Sequence, residues 1–175
     1  MIKMIFATGP NGEFGCSDGL PWNVPSDMVH FKAYTKDCIV IMNSATFQSL
    51  PFKLPGRINL VISSYMDVRA KNGDLPDINI NSDAPLQGIC EAMLKSNPTG
   101  NLCIIGGRKF LEEASMFVEE ASVSYVHMDL ITKEIDFFIN DDVIVQNLSD
   151  RLGDPVKVVD EGNFKVFVWD GLEEA

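Results

Sequence analysis

The chain predicts an α/β fold: a mostly parallel mixed β-sheet flanked by helices, with a C-terminal antiparallel hairpin. Three observations carry that prediction. Short continuous apolar runs, MIKMIFA (1–7), CIVIMN (38–43) and NLCIIGG (101–107), have the pattern of strands buried on both faces. Helical patterns lie between them, which makes successive strands parallel. Near the end, VKVV (156–159) and NFKVFVWD (163–170) flank the turn sequence DEGN, as expected of two antiparallel strands. The 175 residues are enough to bury a sizeable core, and one domain over 1–175 is expected.

Each element has a local reason. After the first strand, TGPNGEFGCSDG (8–19) is too rich in Gly, Pro, Asn and Asp to be anything but a loop, and its four glycines suit a mobile flap. A helix starts at Pro25, since proline fits the first turn, and Met28, Phe31 and Thr35 follow at helical spacing. SATFQSL (44–50) is a short helix closed by Pro51, LPGR (54–57) is a turn and INLVISS (58–64) is a third buried strand. Residues 65–85 are polar apart from a possible short strand at INI (78–80), and 85–96 is an amphipathic helix. A helix over 108–120 and a long strand over 122–131 are expected before the hairpin.

Composition excludes several functions. A net charge of −11 opposes approach to nucleic acid or to an anionic membrane surface, while leaving room for an anionic small ligand held by local cations. Cys16, Cys38, Cys90 and Cys103 lie far apart with no C-x-x-C pair, so neither a metal site nor a disulfide framework is expected, and a reducing cytoplasm is the expected location. No run approaches ~18 apolar residues, and the N-terminal run is too short for a signal peptide.

Three places could hold chemistry. The strand 101–107 ends in Gly106-Gly107 and leads into a helix, where backbone N–H groups can approach a phosphate and Arg108 or Lys109 can add charge. A plain strand-to-helix turn fits equally well, and G-x-G-x-x-G is absent. Arg57 precedes a buried strand and could clamp a carboxylate bidentately, or be a surface residue on a turn. Asp27 lies one turn inside a segment containing Leu20, Trp22, Val24, Met28 and Phe31. It is either a helix-start acid worth ~0.3–1 kcal/mol through the helix dipole, or a carboxylate kept dry beside Phe31, with a raised pKa. His30 and His127 have no ligand spacing and read as structural, and no nucleophile arrangement is present.

The ordered series GLPWNVPSDMVHFK (19–32), TFQSLPFKLPGR (46–57), ISS (62–64), IIGG (104–107), DFFI (136–139) and NFKVFVWD resembles the dihydrofolate reductase family, most continuously over the first 64 residues. That resemblance implies NADPH-dependent reduction of dihydrofolate in one-carbon metabolism by a cytoplasmic monomer. It implies Asp27 as the acid that binds the pterin edge, with Leu20 and Trp22 in a flap that closes over the nicotinamide. Ile5, Phe6, Ala7 and Ile105 would line the pocket floor, Phe31, Leu50 and Leu54 its walls, and Arg57 would pair with the substrate's glutamate carboxylate. The cofactor would run along Ala7, Glu13, Phe14, Gly15, Gly19, Leu20, Ser44, Ala45, Thr46, Ser63, Ser64, Ile105, Gly106, Gly107, Arg108 and Lys109, with a cis peptide between the paired glycines.

Three departures from the family pattern bear on this. Asn43-Ser44-Ala45 stands where Gly and basic residues are usual, which leaves Lys109, Ser63 and Ser64 to hold the cofactor's phosphates. Phe52 replaces a common base, so Arg57 is the main carboxylate contact. Val126 aligns where a threonine usually hydrogen-bonds the acid. Two other functions fit the same fold: a pyrimidine reductase of riboflavin synthesis, which needs no Asp27, Phe31 and Arg57 set, and a folate-binding or assembly protein without turnover.

Overall fold

The computed structural model describes residues 1–16, 19–65 and 67–171. In chain order the strands are β1 (Ile2–Thr8), β2 (Glu13–Gly15), β3 (Ile39–Asn43), β4 (Ile58–Ile62), β5 (Ile78–Ile80), β6 (Leu102–Gly106), β7 (Glu120–Val126), β8 (Phe137–Phe138), β9 (Lys157–Asp160) and β10 (Phe164–Asp170). The helices are α1 (Pro25–Tyr34), α2 (Ser44–Ser49), α3 (Leu86–Ser96), α4 (Arg108–Ala114) and α5 (Asp141–Leu152). Eight strands form one sheet in the order β5-β4-β3-β6-β1-β7-β10-β9, and β2 pairs separately with β8. Pairings from β5 across to β7 are parallel, whereas β10 runs antiparallel to both β7 and β9.

Side-chain alternation divides the core cleanly. On β1, Ile2, Met4 and Phe6 join Leu102, Ile104, Leu111, Ile144 and Leu148 on the face covered by α3, α4 and α5. Ile5 turns the other way and packs with Cys38, Val40, Met42, Phe47 and Cys103 beneath α1 and α2. A third cluster, Trp22, Val24, Val126, Phe164 and Val166, closes that second face toward the hairpin. All four cysteines are buried free thiols.

The flap has more order than its glycine content suggested. Its β2 strand lies against β8, Asp136 N–H donates to Gly15 O at 3.0 Å, and Thr132 N–H donates to Pro21 O at 3.1 Å. Gly12 makes the approach possible: its φ is +84°, and a Cβ there would fall 2.6 Å from Ile139 O.

Three sequence expectations fail locally. The helix expected over 108–120 stops at Ala114, because Ser115 Oγ bonds back to Glu112 O at 2.6 Å and Arg151 takes the Ser115 and Val118 carbonyls at 2.7–3.2 Å. The strand expected over 122–131 ends at Val126, and a single tight turn at Met128–Leu130 follows. Helix α5 was not anticipated; its inward residues Ile144 and Leu148 sit in a segment rich in Asp, Asn and Gln.

Candidate active site

Helix α1 turns one face to the sheet, carrying Asp27 and Phe31, with Thr35 following one turn on. Asp27 is not a capping residue. Val24 is the N-cap, no side chain caps it, and the Asp27 backbone N–H already donates to Val24 O at 3.0 Å. The Asp27 residue is only 8% exposed, and burial raises its pKa above the ordinary 3.8. Ser124, on β7, and then His30 offset part of that rise. The Ser124 hydroxyl faces the carboxylate, although no contact of bonding geometry closes between them.

At the far end of α1, about 12 Å from Asp27 at ~1.5 Å per residue, Arg57 is held by its neighbours. Its Nε donates to Pro55 O at 2.8 Å and its Nη1 to Thr35 Oγ1 at 3.1 Å, while Thr35 Oγ1 donates to Phe31 O at 2.8 Å. Among the described residues no carboxylate pairs with this guanidinium. The loop that carries it is fixed from below by Asn59, which is fully buried. Asn59 Oδ1 accepts from Leu54 N–H at 2.9 Å, and its Nδ2 donates to Leu54 O at 2.9 Å and Arg57 O at 3.2 Å.

Between these two ends the surface is apolar. Phe31, Leu50, Leu54 and Ile105 are half-buried and pack against one cluster that contains Ile5. A flat ligand with a polar edge for Asp27 and an anionic tail for Arg57 matches this spacing.

A second compartment lies across the carboxyl ends of the parallel strands, where open α/β sheets bind ligands. A cavity of about 690 Å³ is lined by Ser63 and Ser64 after β4, by Asn81 and Asp83 after β5, and by Lys109 and Glu113 of α4. A second cavity of about 350 Å³ adjoins it through Lys109 and is lined by Asn43, Arg108 and Phe138. Asp27 lines neither of these two cavities. The Gly106–Gly107 peptide is cis. A Cβ on Gly106 would meet Thr46 Oγ1 at 2.8 Å, and one on Gly107 would meet Asn43 Nδ2 at 2.7 Å, so a side chain at either position would have to displace a residue at the start of α2.

A dry acid and a held guanidinium at opposite ends of one apolar cleft, beside a glycine-bordered groove, define a small-molecule enzyme with room for two ligands. The family model for dihydrofolate reductase matches residues 1–142. The dihydrofolate reductase of Mycobacterium tuberculosis is 31% identical over 133 residues, 74% of this chain and 74% of that one. Dihydrofolate reductase type 9 of Escherichia coli is 28% identical over 129 residues, 73% of this chain and 71% of that one. A dihydrofolate reductase from Enterococcus faecalis, solved in complex with NADP(H) and RAB-propyl, aligns over 99% of this chain and 97% of its own at a TM-score of 0.69 and 22% identity, a likeness of fold. The chain belongs to the dihydrofolate reductase family, and it is an enzyme of dihydrofolate reduction.

Ile5, Phe31, Leu50, Leu54 and Ile105 share one cluster as expected. Phe6 does not: alternation sends its ring to the opposite core, against Phe14 at 6.5 Å, so it can offer the cleft only its backbone. Glu13 turns inward and is 5% exposed, with Oε1 accepting from Asn11 N–H at 2.6 Å, so its carboxylate braces the flap and does not face the groove. Trp22 is buried and anchors the flap, while Leu20 is exposed on it. Ser44 and Ala45 form the first turn of α2, where Asn43 Oδ1 caps the helix by accepting from Thr46 N–H at 2.9 Å. Arg108 is committed to the flap side, donating to Phe138 O at 3.1 Å and lying over the Phe137 ring.

Val126 is an apolar member of the Trp22 cluster, and Ser124, two residues earlier on the same face of β7, is the hydroxyl opposite the acid. Asn59 and Ser124 were not singled out from the sequence, and Thr35 was read there only as part of the helical spacing. Asn59 had a signal, a polar residue inside the otherwise apolar run INLVI.

Proposed function

We propose that this chain catalyses NADPH-dependent reduction of 7,8-dihydrofolate to 5,6,7,8-tetrahydrofolate, with Asp27 as the residue that binds and charges the pterin edge. Asp27 carries the reading, being a buried carboxylate with a raised pKa one turn before Phe31 on the same face of α1. A carboxyl tuned in this way can hydrogen-bond an amino-amidine edge and favour the ring in its protonated form near neutral pH. Arg57 takes the glutamate carboxylate, and its bonds to Pro55 and Thr35 pre-orient the fork before the substrate arrives. Phe31, Leu50 and Leu54 sandwich the ring system between these ends. The flap, anchored by Trp22 and by β2–β8, brings Leu20 over the site and excludes water.

The groove residues fit a nicotinamide dinucleotide. Gly106 and Gly107 allow a close backbone approach, Thr46 and Asn43 border them, and Ser63, Ser64 and Lys109 supply donors in the large cavity. When bound, that cofactor supplies the hydride that the ring accepts. Asp83 and Glu113 line the same cavity and outnumber its one lysine, so the preference for a 2′-phosphate rests on Lys109 with the two serines.

The protein acts as a monomer on small molecules in the cytoplasm, a reading supported by its acidic surface; among the described residues no helix is long and apolar enough to cross a membrane. The test is the absorbance decay at 340 nm with dihydrofolate and NADPH. Turnover between pH 5 and 8 is expected, and folded protein without turnover across that range contradicts the reading. A pyrimidine reductase would instead prefer a ribosylamino-pyrimidine in direct competition.

A further inference from the structure

The helix α1 and the strand β7 meet along a polar seam inside an otherwise apolar face. Residues 27, 30 and 34 lie on one side of α1, and residues 124, 122 and 120 alternate onto the facing side of β7. Asp27 faces Ser124, His30 Nε2 and Ser122 Oγ share a 2.8 Å hydrogen bond, and Tyr34 faces Glu120. Ser122 and Ser124 are buried, and both belong to the one strand that lies directly beneath the acid. The His30 ring also tilts against Tyr34 at 5.9 Å, so a neighbour on its own helix and a hydroxyl on the strand hold it in place.

We propose that His30, held by Ser122, is a positioning residue that sets when Asp27 carries its proton. The proposal rests on the reading of Asp27 as the substrate-binding acid. His30 and Asp27 are i+3 neighbours, close enough for a charge on one to be felt by the other. The coupling runs both ways: His30 lowers the Asp27 pKa and Asp27 raises that of His30. Burial is the larger influence on His30 and pulls it below its ordinary 6.5, toward the range into which burial lifts Asp27. Each group's charge therefore biases the other's titration. The other charges facing His30 come from the terminal hairpin: Lys157 on β9 disfavours its protonation and Glu161 beyond β9 favours it.

The sign follows directly. Below its lowered pKa a cationic His30 stabilises the Asp27 carboxylate, so its removal keeps Asp27 protonated to higher pH within that acid range. Because reduction consumes a proton, the rate then falls less as pH rises through the acid range in which His30 is charged. His30→Gln keeps an amide for Ser122 and removes the charge, whereas His30→Phe removes both. In single-turnover measurements with saturating NADPH, both variants should change the ratio of rates at pH 6 and pH 5 by about threefold, the range in which His30 carries charge. A purely structural His30 would lower the melting temperature of His30→Phe and leave both pH profiles on that of the wild type, which would overturn the proposal.

A second measurement does not require these variants to fold. The chain has two histidines, so their ring resonances can be followed separately in NMR titrations of wild type and Asp27→Asn. Asp27→Asn should lower the His30 midpoint and leave His127 unchanged; an unmoved His30 overturns the proposal. Absence of dihydrofolate turnover would remove the functional reading alone, since the NMR coupling is read without substrate.

Discussion

The two faces of the sheet differ sharply in what they bury. Under α3, α4 and α5 lie Met4, Ile104, Leu111, Ile144 and Leu148, all fully buried, and the buried Ser115 there is bonded to Glu112, Asn147 and Arg151. Under α1 the same sheet buries Asp27, Thr35, Asn59, Ser122 and Ser124, and the hydroxyls of Ser124 and Tyr34 lack a bonded partner. Burying polar groups without full pairing costs stability. One face is thus built to hold the fold, and the other spends part of that stability on presenting polar atoms to a ligand.

Mutations on the two faces should separate stability from chemistry. Leu148→Ala on the packing face is expected to cost about 2–5 kcal/mol by denaturant titration while the rate per folded molecule stays unchanged. A large fall in kcat for the folded fraction would break the comparison. Arg57→Leu should raise KM for dihydrofolate by about 10- to 100-fold with little change in kcat or melting temperature, the pattern of a lost charged hydrogen bond. Asn59→Ala joins the two effects: it should cost about 1–3 kcal/mol and also raise KM, because the loop that holds Arg57 loses three hydrogen bonds. Lys109→Ala should weaken NADPH binding about two- to fivefold by calorimetry and leave NADH binding unchanged, the small effect expected of an exposed cation.

The pH dependence of stability sharpens the contrast further. The folded-state pKa of Asp27 lies above 3.8, so between these values the native protein binds the proton more tightly than the unfolded chain does. The stability contribution therefore falls as pH rises through that window, and above it the ionised, buried carboxylate destabilises the fold. Asp27→Asn should melt no lower than wild type at pH 7, and the difference should close below about pH 4. A variant much less stable than wild type at pH 7 would show that Asp27 supports the fold instead.

The parts of this molecule legible in sequence are those with strong local signals. Two-sided apolar strands revealed β1, β3, β4 and β6, and Pro25 with the spacing of Met28, Phe31 and Thr35 revealed α1. Helix α5 was hidden because its two buried residues are diluted by a charged outer face. The ends of α4 and β7 were misjudged because tertiary hydrogen bonds from Arg151 set the first, and the turn at Met128–Leu130 the second. Asp27 stood out as an acid in an apolar setting, but its burial had to come from packing. The slip from Ser124 to Val126 preserved the face of β7 and lost the atom, since alternation fixes orientation and not register.

The most direct test is the single-turnover rate of Asp27→Asn with saturating NADPH and dihydrofolate, followed from pH 8 down to pH 5. The account predicts a loss of about 100-fold or more at neutral pH, partly recovered in acid as solution protonates the ring without help from the protein. A rate near that of the wild type at pH 7, by a protein that still folds, would contradict it.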